Sequence, residues 1–206
     1  MRKLTLIAFV LFVGVISSQA QVTVNPGLRG GLNLSRLTNI DNNSMKSDYY
    51  VGGLVEIKFN KLFTLQPELN YSRQGSKGVY YDGSPEQLRL GQTTYNLNYI
   101  TTGAVAKFYF HGQGFHVLAG PSFDLKVDDN FGRYGLDPID VDLAFVGGIG
   151  YTLPNGLTFE ARFKQGLVDI YGYDDLDYNN NNNYYYENVI LNQVFQFGIS
   201  YTFKTK

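Results

Sequence analysis

The sequence has no cysteine, no tryptophan and only two histidines. Without cysteine there is no disulfide scaffold, no thiolate zinc site, no cysteine nucleophile and no lipid-modified cysteine. Two histidines leave little material for a histidine-rich metal site. Lys and Arg number 17 against 18 Asp and Glu, so no basic excess exists to hold a phosphate backbone, and no nucleic-acid partner is expected. Charged residues are 17% of the chain, below the roughly 25% of soluble domains. What is abundant is 17 Tyr, 15 Phe and 23 Gly in 206 residues. Mean hydropathy is −0.18, which excludes a bundle of membrane helices.

The first twenty residues read as an address. Arg2 and Lys3 form a positive n-region, Leu4 to Ile16 is uncharged and apolar, and Ser18-Gln19-Ala20 is a small-x-small cleavage site. Thirteen apolar residues fall short of the roughly 20 that span a bilayer as a helix. Residues 1–20 are therefore expected to be a cleaved signal peptide and residues 21–206 one exported domain. Removing the leader leaves 15 basic against 18 acidic residues, a net charge of −3.

The rest of the chain alternates with period 2. Eight runs are read, with these apolar positions. The first has Leu28, Gly30, Leu32 and Leu34, and the second Tyr49, Val51, Val55, Ile57 and Phe59. The third has Phe63, Leu65, Pro67, Leu69 and Tyr71. In the fourth, Leu97 and Tyr99 are odd but Ala104, Ala106 and Phe108 even, so a β-bulge is expected near Thr101 to Gly103. The fifth runs from Phe115 to Leu125, the sixth from Ile139 to Ile149, the seventh from Leu157 to Phe163 and the eighth from Val189 to Phe203. Long and short connections strictly alternate. Asn60-Lys61, His111-Gly112-Gln113-Gly114 and Pro154-Asn155-Gly156 are tight, whereas the last loop runs from about Tyr171 to Asn188.

Eight alternating strands fit two barrels. A soluble lipocalin-like carrier keeps its apolar face inside; a membrane barrel turns it outward and fills the lumen with polar side chains. Three features favour the second. Aromatics gather at strand ends, as in interfacial girdles: Tyr49, Tyr50, Tyr71, Tyr95 and Tyr171 toward the long loops, Phe59, Phe63, Phe108, Phe110, Phe115, Tyr151, Tyr201 and Phe203 toward the short turns. The polar face mixes both charge signs with glycine. The turn asymmetry is that of bacterial outer-membrane barrels. The fold expected is an all-β, eight-stranded antiparallel up-and-down transmembrane barrel, a monomer in the outer membrane with both termini in the periplasm.

Several stretches carry a family resemblance: Leu65-Gln66-Pro67-Glu68-Leu69, Leu97-Asn98-Tyr99-Ile100, Lys107-Phe108-Tyr109-Phe110, Ala119-Gly120-Pro121, Gly147-Gly148-Ile149-Gly150-Tyr151 and Phe197 to Phe203. In that order and spacing the chain resembles the small porin-family outer-membrane β-barrel proteins common in Bacteroidota, with an OmpA/OmpX-type barrel. It departs from them where an acidic-apolar-proline step is replaced by Thr101-Thr102-Gly103. The resemblance implies outer-membrane lipids and the barrel-assembly machinery as partners. It also implies a C-terminal aromatic assembly signal, here Phe203, three residues short of the end.

The strongest constellation is the set of lumen-facing charges: Arg29, Glu56, Lys58, Glu68, Lys107, Asp124, Lys126, Glu160, Arg162 and Lys164. An eight-stranded interior is just wide enough for side chains to fill, so a paired structural plug is expected before a gated ion path. No catalytic site, cofactor or metal is expected. His111 and His116 fall at the periplasmic end, and Ser122 and Asp124, on the same face as His116, need not converge with it. The last loop, with Asp174, Asp175 and Asp177 before Asn179 to Asn183, suits a solvated loop, with Ca²⁺ or an extracellular binding partner as the sharper readings. The function expected is a non-enzymatic barrel presenting four loops for structural or adhesive roles, with a small-solute pore and a soluble carrier as alternatives.

Overall fold

The computed structural model describes residues 22–39, 43–80, 90–110, 114–134, 137–170 and 189–204. The leader, His111 and the loop 171–188 lie outside the described residues. Eight strands follow one another: β1 Thr23–Leu37, β2 Lys46–Lys58, β3 Phe63–Tyr80, β4 Leu90–Tyr109, β5 Phe115–Asp129, β6 Val141–Thr152, β7 Leu157–Gly166 and β8 Asn192–Thr202. Each pairs antiparallel with the next, and β8 pairs with β1 from Gly27↔Thr202 to Leu37↔Asn192, closing the barrel. Closure matters because an open edge in hydrocarbon would strand backbone N–H and C=O groups at several kcal/mol each.

The short turns are locally encoded. Asn60 Oδ1 accepts from the backbone N–H of Leu62 and of Phe63, both at 2.8 Å. Asn155 Oδ1 accepts from the Leu157 N–H at 3.0 Å, and Gly156 takes φ 95°, a conformation that glycine adopts without steric penalty. Two strands start later than the alternation suggests. The Ile139 N–H donates to the Ile170 carbonyl and the Ile170 N–H to the Ile190 carbonyl, so these residues tie loop to loop rather than extend β6 and β8.

The pleat decides which side is wet. Leu28, Leu32, Val51, Leu69, Phe108, Phe145, Ile149, Phe197 and Ile199 all point outward and are exposed. Arg29, Glu56, Lys107, Asp124, Glu160, Arg162 and Lys164 point inward and are buried. A soluble carrier needs the opposite arrangement, so the lipocalin-like alternative is overturned.

The bulge expected near Thr101 to Gly103 is absent. Odd residues face inward along β4 from Tyr95 to Tyr109, and the pairing with β3 is continuous from Phe63↔Phe108 to Val79↔Gln92. The irregularities fall elsewhere, at Val79/Tyr80 and between β4 and β5, where Asn98 faces Asp128, Tyr99 faces Lys126 and Val127 is the extra residue. The apolar parity changed for another reason: Tyr95, Leu97 and Tyr99 point into the barrel and form its cap.

Strands β3 and β4, at 18 and 20 residues, outrun their neighbours. The β2–β3 ladder ends at Tyr50↔Ser72, with one further bridge at Ser44↔Lys77, and pairing of β4 with β5 ends at Leu97↔Asp129. Twenty residues at about 3.3 Å each span about 66 Å, against an apolar band of about 25 Å. The outward side chains mark the exit: after Leu69 and Tyr71, β3 presents Arg73 and then Lys77. The long-loop ends of β3 and β4 therefore rise above the apolar band.

Candidate functional site

The lumen contains one connected set of ion pairs in the half nearer the short turns. Glu68 from β3 is ion-paired with Arg29 from β1 and receives Arg162 from β7 through two nitrogens, at 2.9 and 2.7 Å. Gln66 donates to Glu68 at 2.6 Å. Arg162 also reaches Glu160 at 2.6 Å. Glu160 binds Lys107 at 2.7 Å, Lys107 stands 3.5 Å from Glu56, and Glu56 meets Lys58 at 3.2 Å. Above this chain, Lys164 pairs with Asp124, and Gln74 links Asp124 to Asn192. Mixed pairing is what burial demands, since a buried charge without its partner costs several kcal/mol.

Two of the ten expected charges stand apart. Lys58 is at the short-turn mouth with its side chain 39% exposed, tethered to buried Glu56. Lys126 is outside the network altogether. It pairs with Asp129 at 3.0 Å and Asp140 at 3.3 Å, carboxylates at the long-loop end, because Lys126 lies near the end of β5 opposite the capping residue Tyr99.

Four participants are not among the ten lumen charges expected from the sequence. Tyr50, read above as interfacial, faces inward, where its ring lies under the Arg29 guanidinium at 4.8 Å and its hydroxyl accepts from Arg29 at 3.2 Å. His116 is fully buried, with Nδ1 donating to the Gly114 carbonyl at 3.1 Å and Nε2 3.5 Å from Glu160. Asp142 is buried across from Asp124 in the β5–β6 register. Asn33 bridges Gln196 and Ser72. Their signal was available: each has the inward parity of its strand. The space left at the centre is about 20 Å³, lined by Arg29, Tyr50, Glu68, Arg162 and Gln196 among others. That is room for about one water.

The long-loop end is closed by apolar packing. Leu37, Tyr95, Leu97, Tyr99, Phe131 and Ile170 form a buried cluster, with Ile190 against it. Tyr95, expected in the girdle, is instead buried here, its ring 4.9 Å from Phe131. Asn130 pins the connection in place: its Nδ2 donates to the Thr94 carbonyl at 2.9 Å, and its Oδ1 accepts from the Asn96 N–H at 2.7 Å. Phe131 then turns in on the short 3-10 segment Phe131–Tyr134. Phe131→Ala should cost about 3–5 kcal/mol of local packing. Protease cleavage within residues 130–140 should become faster while the barrel itself stays folded; an unchanged cleavage rate would show that the cap does not hold this connection.

The outward aromatics form a band at the short-turn end. Phe59 lies 5.5 Å from Phe63, Phe63 5.1 Å from Phe108, Phe110 5.5 Å from Phe115, and Tyr201 5.3 Å from Phe203. Tyr151 is half-exposed on the same face. At the long-loop end Tyr49 and Tyr71 face outward, with Arg73 over the Tyr49 ring at 5.6 Å.

Among the described residues no three His, Cys, Asp or Glu side chains are grouped to hold a metal. A family model described as outer membrane protein beta-barrel domain matches residues 19–172. No curated protein matches the sequence. Among solved structures, Neisserial surface protein A is similar at TM-score 0.50 and 10% identity, over 86% of this chain and 97% of that one. Ail, the attachment invasion locus protein of Yersinia pestis, crystallised with the heparin analogue sucrose octasulfate, gives TM-score 0.48 and 11% identity, over 88% and 99%. OprG from Pseudomonas aeruginosa gives 0.47 and 14%, over 91% and 99%. At 10% identity the likeness to Neisserial surface protein A is one of fold.

Proposed function

Because the chain belongs to the outer membrane protein β-barrel domain family, we propose that it is a non-enzymatic, closed barrel that presents its long loops outward for structural or adhesive work. The observation that carries this reading is the contrast between the two halves of the molecule. The lumen is packed with ion pairs around a space of about 20 Å³, room for about one water. The hairpin of β3 and β4, by contrast, extends well past its neighbours. We assign residues 1–20 to a cleaved leader and residues 21–206 to the barrel domain, with lipids and the assembly machinery as its partners. Phe203 is the proposed assembly aromatic. Its side chain faces outward and its N–H donates to the Pro26 carbonyl at 2.8 Å, on the seam between β1 and β8. The motifs from Leu65 to Leu69 and from Phe197 to Phe203 favour the Bacteroidota type.

The test removes a loop and spares the barrel. Ile170 and Ile190 are hydrogen-bonded, so a short linker can replace residues 172–187. The shortened protein is expected to keep heat-modifiable gel mobility and to lose binding to cells or matrix. Planar-bilayer recordings of the wild type should show no stable channel. Unchanged binding would overturn the adhesive reading for this loop, and a stable open channel would establish the pore instead.

A further inference from the structure

The two ends of the barrel differ in charge. Among the described residues no exposed carboxylate stands at the short-turn end: the acids nearest it, Glu56 and Glu160, are buried. Exposed at that end are Lys61 in the β2–β3 turn and Lys204 after β8, while Lys58 is partly exposed. Lys204 Nζ donates to the Pro154 carbonyl at 2.7 Å, which brings it to the β6–β7 turn. The pairs beneath leave Lys58 as the surplus cation, since Arg29, Lys107 and Arg162 already balance Glu56, Glu68 and Glu160.

Lys58 and Lys61 line a recess, and Lys204 reaches its rim through Pro154. A cavity of about 520 Å³ opens among the three short turns, lined by Lys58, Lys61, Thr64, Tyr109, Tyr151 and Thr152. Tyr151 also lines a second space, an apolar groove of about 630 Å³ on the outer wall. That groove exists because Gly30 and Ala161 are small among larger neighbours such as Leu32, Ile149, Phe159 and Ile199. Tyr151 is common to the recess at the barrel mouth and the groove on the outer wall, at the depth of the aromatic band.

We propose that this pair of sites holds one anionic phospholipid, its acyl chain in the groove and its phosphate against the recess lysines. Charge complementarity selects an anion, because a lysine near the headgroups attracts anionic lipid and its aliphatic stem lies along apolar surface. The groove selects a lipid over a free anion. A soluble polyanion would need its cations beyond the membrane, whereas Lys61 and Lys204 directly adjoin the outward apolar residues Leu62 and Phe203. Which leaflet supplies the lipid rests on the reading that the short turns face the periplasm; the site itself does not.

The test compares phosphatidylglycerol with phosphatidylcholine of identical acyl chains. The barrel in nanodiscs of an equal mixture is released into detergent, and retained lipid is counted by native mass spectrometry. Phosphatidylglycerol should be retained preferentially. Each of Lys61→Gln and Lys204→Gln should reduce that preference about fivefold, and Ala161→Phe, which fills the groove, should reduce it too. Heat-modifiable mobility confirms that each variant is folded. No preference in the wild type, or a preference that survives both lysine changes, would overturn the proposal. So would lysine dependence that Ala161→Phe leaves intact and inorganic phosphate abolishes, which would mark a free-anion site. Accessibility of a tag within residues 171–188 on intact cells checks orientation independently.

Discussion

Glu68→Ala is expected to destabilise the folded barrel by about 3–5 kcal/mol, the usual penalty for removing one partner of a buried charge cluster. The reason is geometric. Glu68 is the shared partner of Arg29 and Arg162, and its side chain is only 7% exposed. Its loss leaves Arg29 without an ion partner among the described residues and Arg162 with Glu160 alone. Heat-modifiable gel mobility in detergent measures the effect as a lower temperature of conversion to the unfolded form. Glu68→Gln keeps the shape and one acceptor oxygen, and should fall between alanine and wild type. Neither variant should conduct, because the other ion pairs and the apolar cap still fill the bore. An alanine variant as stable as wild type would show that Arg29 and Arg162 find other partners; one that opens a stable channel would show that the network is a gate.

Leu32→Arg is the second large effect expected. Leu32 lies on the outer wall, 59% exposed, and is paired with Tyr49 on one side and Phe197 on the other. A charge placed on the lipid face near midplane costs about 2–4 kcal/mol, and less toward either interface. The matched control is Val24→Arg, on the same face of β1 but near the short-turn end. Folding yield into bilayers should fall strongly for Leu32→Arg and mildly for Val24→Arg. Equal yields would place the hydrocarbon band elsewhere on the wall.

Alternation alone locates the strands and the side each residue faces, because a one-residue slip would move a whole apolar set to the wrong side. It carries no information on height. Glu68 and Arg162 are 94 residues apart and meet because of the stagger between strands, which no local pattern encodes. The separation of Lys126 from the other charges is likewise one of height, since it stands opposite Tyr99 near the long-loop end of β5. Leu97 and Tyr99 misled for a different reason. A polar lumen is a rule for the membrane-embedded height, and these residues sit above it, where the interior packs like that of a soluble protein. Tyr50 and Tyr95 looked interfacial because tyrosine suits both a headgroup layer and an arginine-lined or apolar pocket.

The seam between β1 and β8 also governs the order of assembly. Every other pairing joins neighbours in the chain, whereas Gly27 meets Thr202 across 175 residues. Hairpins can form as soon as their two strands are present, but the cylinder cannot shut until the final strand arrives, and closing so long a loop is the slow, entropically opposed event. Until then the first and last strands are both open templates for pairing with other chains. The newly exported polypeptide therefore has to be held apart from its own copies, and truncation by even one strand leaves a sheet with two sticky margins instead of a slightly smaller cylinder.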